Sequence, residues 1–107
     1  MDFCRKEMHM LIKKYSENGK TCAVTFVLPA QIKAQTAYLY GDFTDWEKAP
    51  KLMVRNEDGS FTTEMTFPSG NSYRFRYLLD GGHWENDWAA DAYAPNPFGT
   101  EDSVVNV

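Results

Sequence analysis

The chain has 107 residues, 43% hydrophobic and 24% charged, the profile of one globular domain with no room for a second core. A formal charge of −4 and a pI near 5.0 give no electrostatic hold on a phosphate backbone, so nucleic acid is excluded as a partner. Two cysteines make no disulfide framework, and no apolar run approaches the ~18–20 residues of a membrane span.

At the N-terminus Phe3, Met8, Leu11, Ile12 and Tyr15 recur at spacings of three to five, with Arg5, Lys6, Lys13 and Lys14 between them. The spacing predicts a short amphipathic helix, stopped by Ser16-Glu17-Asn18-Gly19. Residues 1–19 therefore read as an N-terminal extension and residues 20–107 as the domain proper. No signal-peptide apolar region follows Met1 to Lys6, so the expected setting is cytoplasmic, with free thiols. Cys22 falls on the apolar parity of its strand and is expected to be buried; Cys4 lies near the chain end.

From Thr21 to Leu28 the period becomes two, with Cys22, Val24, Phe26 and Leu28 on one face. Pro29 ends that strand. A second runs from Thr36 to Phe43, where Gly41 signals a bulge or a close backbone approach. Thr44-Asp45-Trp46-Glu47 continues as a loop. Leu52-Met53-Val54 is a short strand, Arg55 to Gly59 a hairpin turn, and Phe61 to Phe67 a strand with one wet face.

The most informative stretch is Ser72 to Trp84. Tyr73, Phe75, Tyr77 and Leu79 point one way, and Ser72, Arg74 and Arg76 the other; Leu78 breaks the polar face. Asp80-Gly81-Gly82 supplies a turn, and Trp84 follows it. Two guanidiniums on a strand face beside an indole suit a polyhydroxylated ring, whose C–H face stacks on the indole and whose hydroxyls accept from Arg. Aromatics make up 15% of the chain, more than a core of this size needs, so some belong on the surface. Ala89 to Thr100 reads as a long ordered surface loop and Ser103 to Val107 as a last strand. Six or seven short strands with regular turn signals predict an all-β, immunoglobulin-like antiparallel β-sandwich.

Three segments carry a resemblance. Tyr40-Gly41-Asp42-Phe43-Thr44-Asp45-Trp46 resembles the "G-x-F-N-x-W" turn of the early-set domains of isoamylases and glycogen-branching enzymes, and of the glycogen-binding module of the AMP-activated kinase β-subunit. Tyr73 to Trp84 resembles that family's "Y-x-F-x-Y/F-x-x-D-G-x-W", and Phe98 to Val107 its closing "L-G-T-x-N-x-x-x-V". The chain looks like the small stand-alone bacterial version of this domain. The resemblance implies an early-set fold and non-catalytic binding of α-glucan: glycogen, starch or malto-oligosaccharide. It implies sugar stacking by Trp46 and Trp84, a cationic donor in Arg76, an apolar projection in Phe98, and polar contacts from Thr100 and Asp102. Trp88 is a further candidate. The sequence departs from the pattern in a turn one residue longer before Trp84, in Asp102 for an Asn, and in Thr44 for an Asn.

Other classes have less support. A glycosidase needs two carboxylates about 5–5.5 or 6.5–9.5 Å apart across a cleft. Asp42, Asp45, Asp80, Glu85, Asp87 and Asp91 all fall in turns, so no catalytic residue is assigned. His9 and His83 have no tetrahedral metal spacing, and neither metal nor cofactor is expected. The alternative is a protein-interaction or regulatory module with no sugar site, related to the accessory domain of glycogen-debranching and branching enzymes. Its partner would be a glycogen-metabolising enzyme, with the chain itself a monomer or weak homodimer.

Overall fold

Strict alternation makes strands here because each strand has one side to bury and one to wet. The computed structural model describes residues 11–107. They form ten strands: β1 (Leu11–Tyr15), β2 (Thr21–Leu28), β3 (Ala37–Gly41), β4 (Lys51–Leu52), β5 (Val54–Arg55), β6 (Phe61–Pro68), β7 (Ser72–Leu79), β8 (His83–Glu85), β9 (Ala92–Pro95) and β10 (Glu101–Asn106). The first sheet has the order β1-β2-β6-β5; the second runs β4-β3-β7-β10-β9, with β8 also paired to β7. All pairings are antiparallel. This is the all-β sandwich expected from the pattern.

The core lies between the sheets. Cys22, Val24, Phe26 and Leu28 of β2 face Phe75, Tyr77 and Leu79 of β7, all fully or almost fully buried. Phe26 sits at its centre, 5.1 Å from the Phe75 ring and 5.8 Å from Phe43. Each such side chain contributes about 1.5–3 kcal/mol by leaving water.

Three expectations need revision. Leu11–Tyr15, placed at the end of a helix, is a strand; the rest of that helix, residues 1–10, and Cys4 lie outside the described residues. Pairing with the open edge of β2, from Leu11↔Phe26 to Tyr15↔Cys22, outweighs a weak helical period in a segment this short. The single strand expected around Leu52-Met53-Val54 is two, because Met53 turns into the core and its N–H donates to Ala37 O at 3.0 Å. That turn carries the chain from one sheet to the other. Finally, β8 and β9 lie in stretches read as loop; both are short, and neither alternates clearly in sequence.

Candidate functional site

The outer face of the second sheet carries a groove of about 800 Å³ lined by β7, β8, the turn after β3 and the β9–β10 turn. Each wall has a local cause.

The first wall begins where β3 ends. Gly41 passes so close to β7 that a Cβ would lie 2.7 Å from Arg74 O and from the Phe43 ring. Two short 3-10 turns follow, Asp42–Thr44 and Trp46–Lys48. The buried Thr44 hydroxyl accepts Gly41 N–H at 3.0 Å and lies 3.0 Å from Gly41 O and 3.1 Å from Trp46 O. Threonine thus holds the turn where the resembling family has asparagine. Asp45 and Trp46 both take left-handed backbone, φ 55° and 51°, at about 1–2 kcal/mol each. The Trp46 indole donates Nε1–H to Asp42 Oδ1 at 3.1 Å, and Asp42 Oδ2 accepts the Arg74 backbone N–H at 2.8 Å. A carboxylate that the sequence offered only as one of several turn acids therefore ties the half-buried indole to β7.

The second wall is β8. The extra residue of the Asp80–Trp84 turn is absorbed at Asp80 and Gly81, both left-handed, φ 52° and 77°. Asp80 Oδ1 also accepts the N–H groups of Gln35 and Thr36. Register is thereby kept: Leu79↔His83, Leu78↔Trp84, Tyr77↔Glu85. Trp84 stays on the outer face, 39% exposed, with the Tyr40 ring edge-on at 4.9 Å. The Arg76 guanidinium carbon lies 5.4 Å from the Trp84 ring centroid, a cation–π contact. Arg76 Nε is buried with no hydrogen-bond partner among the described residues.

The third wall is the β9–β10 turn, organised by Asn96. Its Oδ1 accepts the N–H groups of Phe98 and Thr100, and its Nδ2 donates to Thr100 Oγ1 at 2.8 Å and Asp102 Oδ1 at 3.0 Å. Phe98 projects from this turn at 85% exposure. Asp102 is buried at 6%, and Arg74 holds it to the sheet: Nη1 lies 3.5 Å from Asp102 Oδ2 and donates to Pro95 O at 3.1 Å. Among the described residues Arg74 is ion-paired with Asp102 and Arg76 with no carboxylate.

Trp46, Arg76, Trp84, Phe98, Thr100 and Asp102 thus share one groove. Trp88 does not line it. Its indole donates to Glu85 Oε2 at 2.6 Å, and the Tyr77↔Glu85 register puts Glu85 on the opposite side of the sheet from Trp84. Sequence reasoning missed Asp42 and Asn96 as organisers of the groove, and read Arg74 as a donor on the strand face where the structure ties it to Asp102 and Pro95 O. Only Asn96 had a usable signal, an Asx-turn residue between two prolines.

Behind the groove lies a polar cluster sealed in the core. Tyr77 donates its hydroxyl to Asp87 Oδ2 at 2.9 Å, Ala89 N–H bonds Asp87 Oδ1 at 2.8 Å, and Asp87 N–H bonds Ser103 Oγ at 2.8 Å. Burial pushes the Asp87 carboxyl up to about 6 despite those donors, and burial beside Asp87 raises the Tyr77 phenol well above its usual value. Among the described residues no helix is long and apolar enough to cross a membrane, and no three His, Cys, Asp or Glu side chains converge as a metal set.

Among curated proteins none matches by sequence. Two solved structures are similar in part. One is the catalytic module of the multi-modular glycogen-degrading pneumococcal virulence factor SpuA in complex with an inhibitor, at TM-score 0.49 and 14% identity. It is covered over 18% of its length by 96% of this chain. The other is the product complex of the multi-modular SpuA, at TM-score 0.48 and 16% identity, covered over 13% of its length by 96% of this chain. The family described as the glycogen recognition site of AMP-activated protein kinase matches residues 23–107, nearly the whole described chain. The chain belongs to that family of glycogen-recognition modules.

Proposed function

We propose that the chain is a non-catalytic module that binds α-glucan, as glycogen, starch or malto-oligosaccharide, in the groove on its second sheet. The observation that carries this reading is the convergence of Trp46, Arg76, Trp84 and Phe98, from four separate segments, on one open groove in a chain of the glycogen-recognition family. An exposed indole and an 85%-exposed Phe are costly to leave wet, and a sugar's C–H face covers them while its hydroxyls stay solvated.

Trp84 and Trp46 supply the stacking surfaces. Arg76, over the Trp84 ring, presents N–H donors to hydroxyl oxygens. Phe98 closes over the ligand, and the Thr100 hydroxyl reaches its edge. Asp102 acts as an acceptor at the margin and fixes Arg74 and Asn96. The lining carboxylates Asp42, Glu47 and Asp102 against Arg74 and Arg76 leave no cationic excess, which favours an uncharged chain. An open groove of this kind binds weakly, on the order of Kd 10 µM to 1 mM, or about −7 to −4 kcal/mol.

Isothermal titration with maltoheptaose tests the reading. Heat of binding at submillimolar Kd, with shifts confined to the Trp46 and Trp84 indole resonances, is expected. No heat and no indole shift at millimolar sugar would sink it.

A further inference from the structure

Leu78 stands on the otherwise polar outer face of β7, and the groove does not use it. The register explains its company. Leu78 pairs with Trp84 of β8 on one side and with Tyr38 of β3 on the other, and Tyr38 pairs with Leu52 of β4. Ala37, Leu39, Tyr77 and Leu79, their chain neighbours, are buried in the core. Trp84, Leu78, Tyr38 and Leu52 therefore form one row of apolar side chains across four strands of the outer face. Directly opposite residues of this kind are in side-chain contact distance. Trp84 is 39% exposed, Leu52 is 57% exposed, and the two between are half-buried.

We propose that this row is an extension of the sugar-binding surface, which takes the continuing chain of a long α-glucan beyond Trp84. The proposal rests on the glucan reading of the groove and adds the length of ligand that it selects. Two features favour a linear polysaccharide over a protein. The row is continuous with the groove through the shared Trp84 ring. It is also narrow, a single register row flanked at its Trp84 end by Tyr40, and roughly 14 Å long at ~4.8 Å per strand, whereas a stable protein interface takes about 20–30 residues a side. A narrow apolar track offers C–H contact to successive sugar rings and leaves both hydroxyl edges in water.

Titration of the full chain with maltotriose and with maltodecaose tests this, using wild type, Tyr38→Ala and Leu52→Lys. Both variants should keep wild-type affinity for maltotriose and lose about tenfold for maltodecaose. Thermal melts check that they fold; Leu52→Lys places a charge at an exposed position and should leave the melt unchanged. Unaltered maltodecaose affinity in both variants overturns the proposal. So does an equal loss for both sugars, which would mark an effect through the groove, and so does a change of oligomeric state in Leu52→Lys with sugar binding intact, which would make the row a protein contact. Failure of wild type to bind either sugar would instead remove the groove reading itself.

Discussion

Arg74 Nη1 stands 3.5 Å from Asp102 Oδ2, whereas Arg76, two residues along the same strand face, meets the Trp84 indole and, among the described residues, no carboxylate. The two guanidiniums have different work. Arg74 fastens the β9–β10 turn to the sheet through Asp102 and Pro95 O. Arg76, over the Trp84 ring, is the donor that the proposed glucan reading assigns to the ligand.

Arg76→Ala should therefore lower glucan affinity about tenfold with almost no change in melting temperature. Arg74→Ala should do the reverse in emphasis. It leaves the buried Asp102 with fewer donors and costs about 1–2 kcal/mol of stability, with affinity falling only as the turn loosens. Urea unfolding and titration calorimetry on the two variants check the division. Equal stability loss in both would refute it.

Trp84→Ala removes a ring that is 39% exposed. It should abolish glycogen pull-down and cost no more than about 1–2 kcal/mol, well below the ~3–5 kcal/mol of a core aromatic. Trp46→Ala should abolish pull-down too, and its half-buried, Asp42-bonded indole makes it the more costly of the pair. Phe75→Ala, in the core, is the control that should unfold the domain.

Asn96→Ala should unlatch the Phe98 turn. It removes the acceptor of the Phe98 and Thr100 N–H groups and a donor to Asp102. Amide exchange at Phe98 and Thr100 should speed up while β7 amides stay protected, and global stability should fall by about 1–2 kcal/mol. Asn96→Asp should be worse, since it sets a carboxylate against Asp102. Wild-type exchange rates at Phe98 in Asn96→Ala would count against this role.

Most of the sandwich was legible because alternation is a local property. One face of β2 is fully buried and that of β7 is buried from Phe75 to Leu79, and their register is written in every second residue. β8 and β9 were not legible, since three- and four-residue strands are held by their neighbours' hydrogen bonds more than by their own pattern. Leu11–Tyr15 was misread for a related reason: an edge strand buries little, so its sequence need not alternate. In the groove, the aromatic residues and Arg76 were visible as types out of place on a surface. The anchoring roles of Asp42 and Arg74 were not, because a carboxylate or guanidinium in a sequence looks the same whether it faces a ligand or ties one part of the fold to another.

Asp87 makes stability depend on pH in an unusual direction. Its carboxyl is raised to about 6 in the folded protein from an unfolded value of 3.8. As pH falls through about 6 the native state takes up a proton that the unfolded chain refuses until below about 4. The group therefore adds stability as pH drops from about 7 to 4, and that contribution is lost as pH rises back through 6. Its size is on the order of 1–3 kcal/mol, set against the opposite trend of carboxylates such as Asp58, whose pKa is lowered by the Ser60 hydroxyl and N–H. Asp87→Asn keeps one acceptor for Ala89 N–H, and the Tyr77 hydroxyl can turn to accept from the amide. Denaturant midpoints measured from pH 4 to 8 should show Asp87→Asn gaining on wild type above pH 6 and losing that advantage toward pH 4. Parallel curves for the two proteins would show that Asp87 does not titrate in this window.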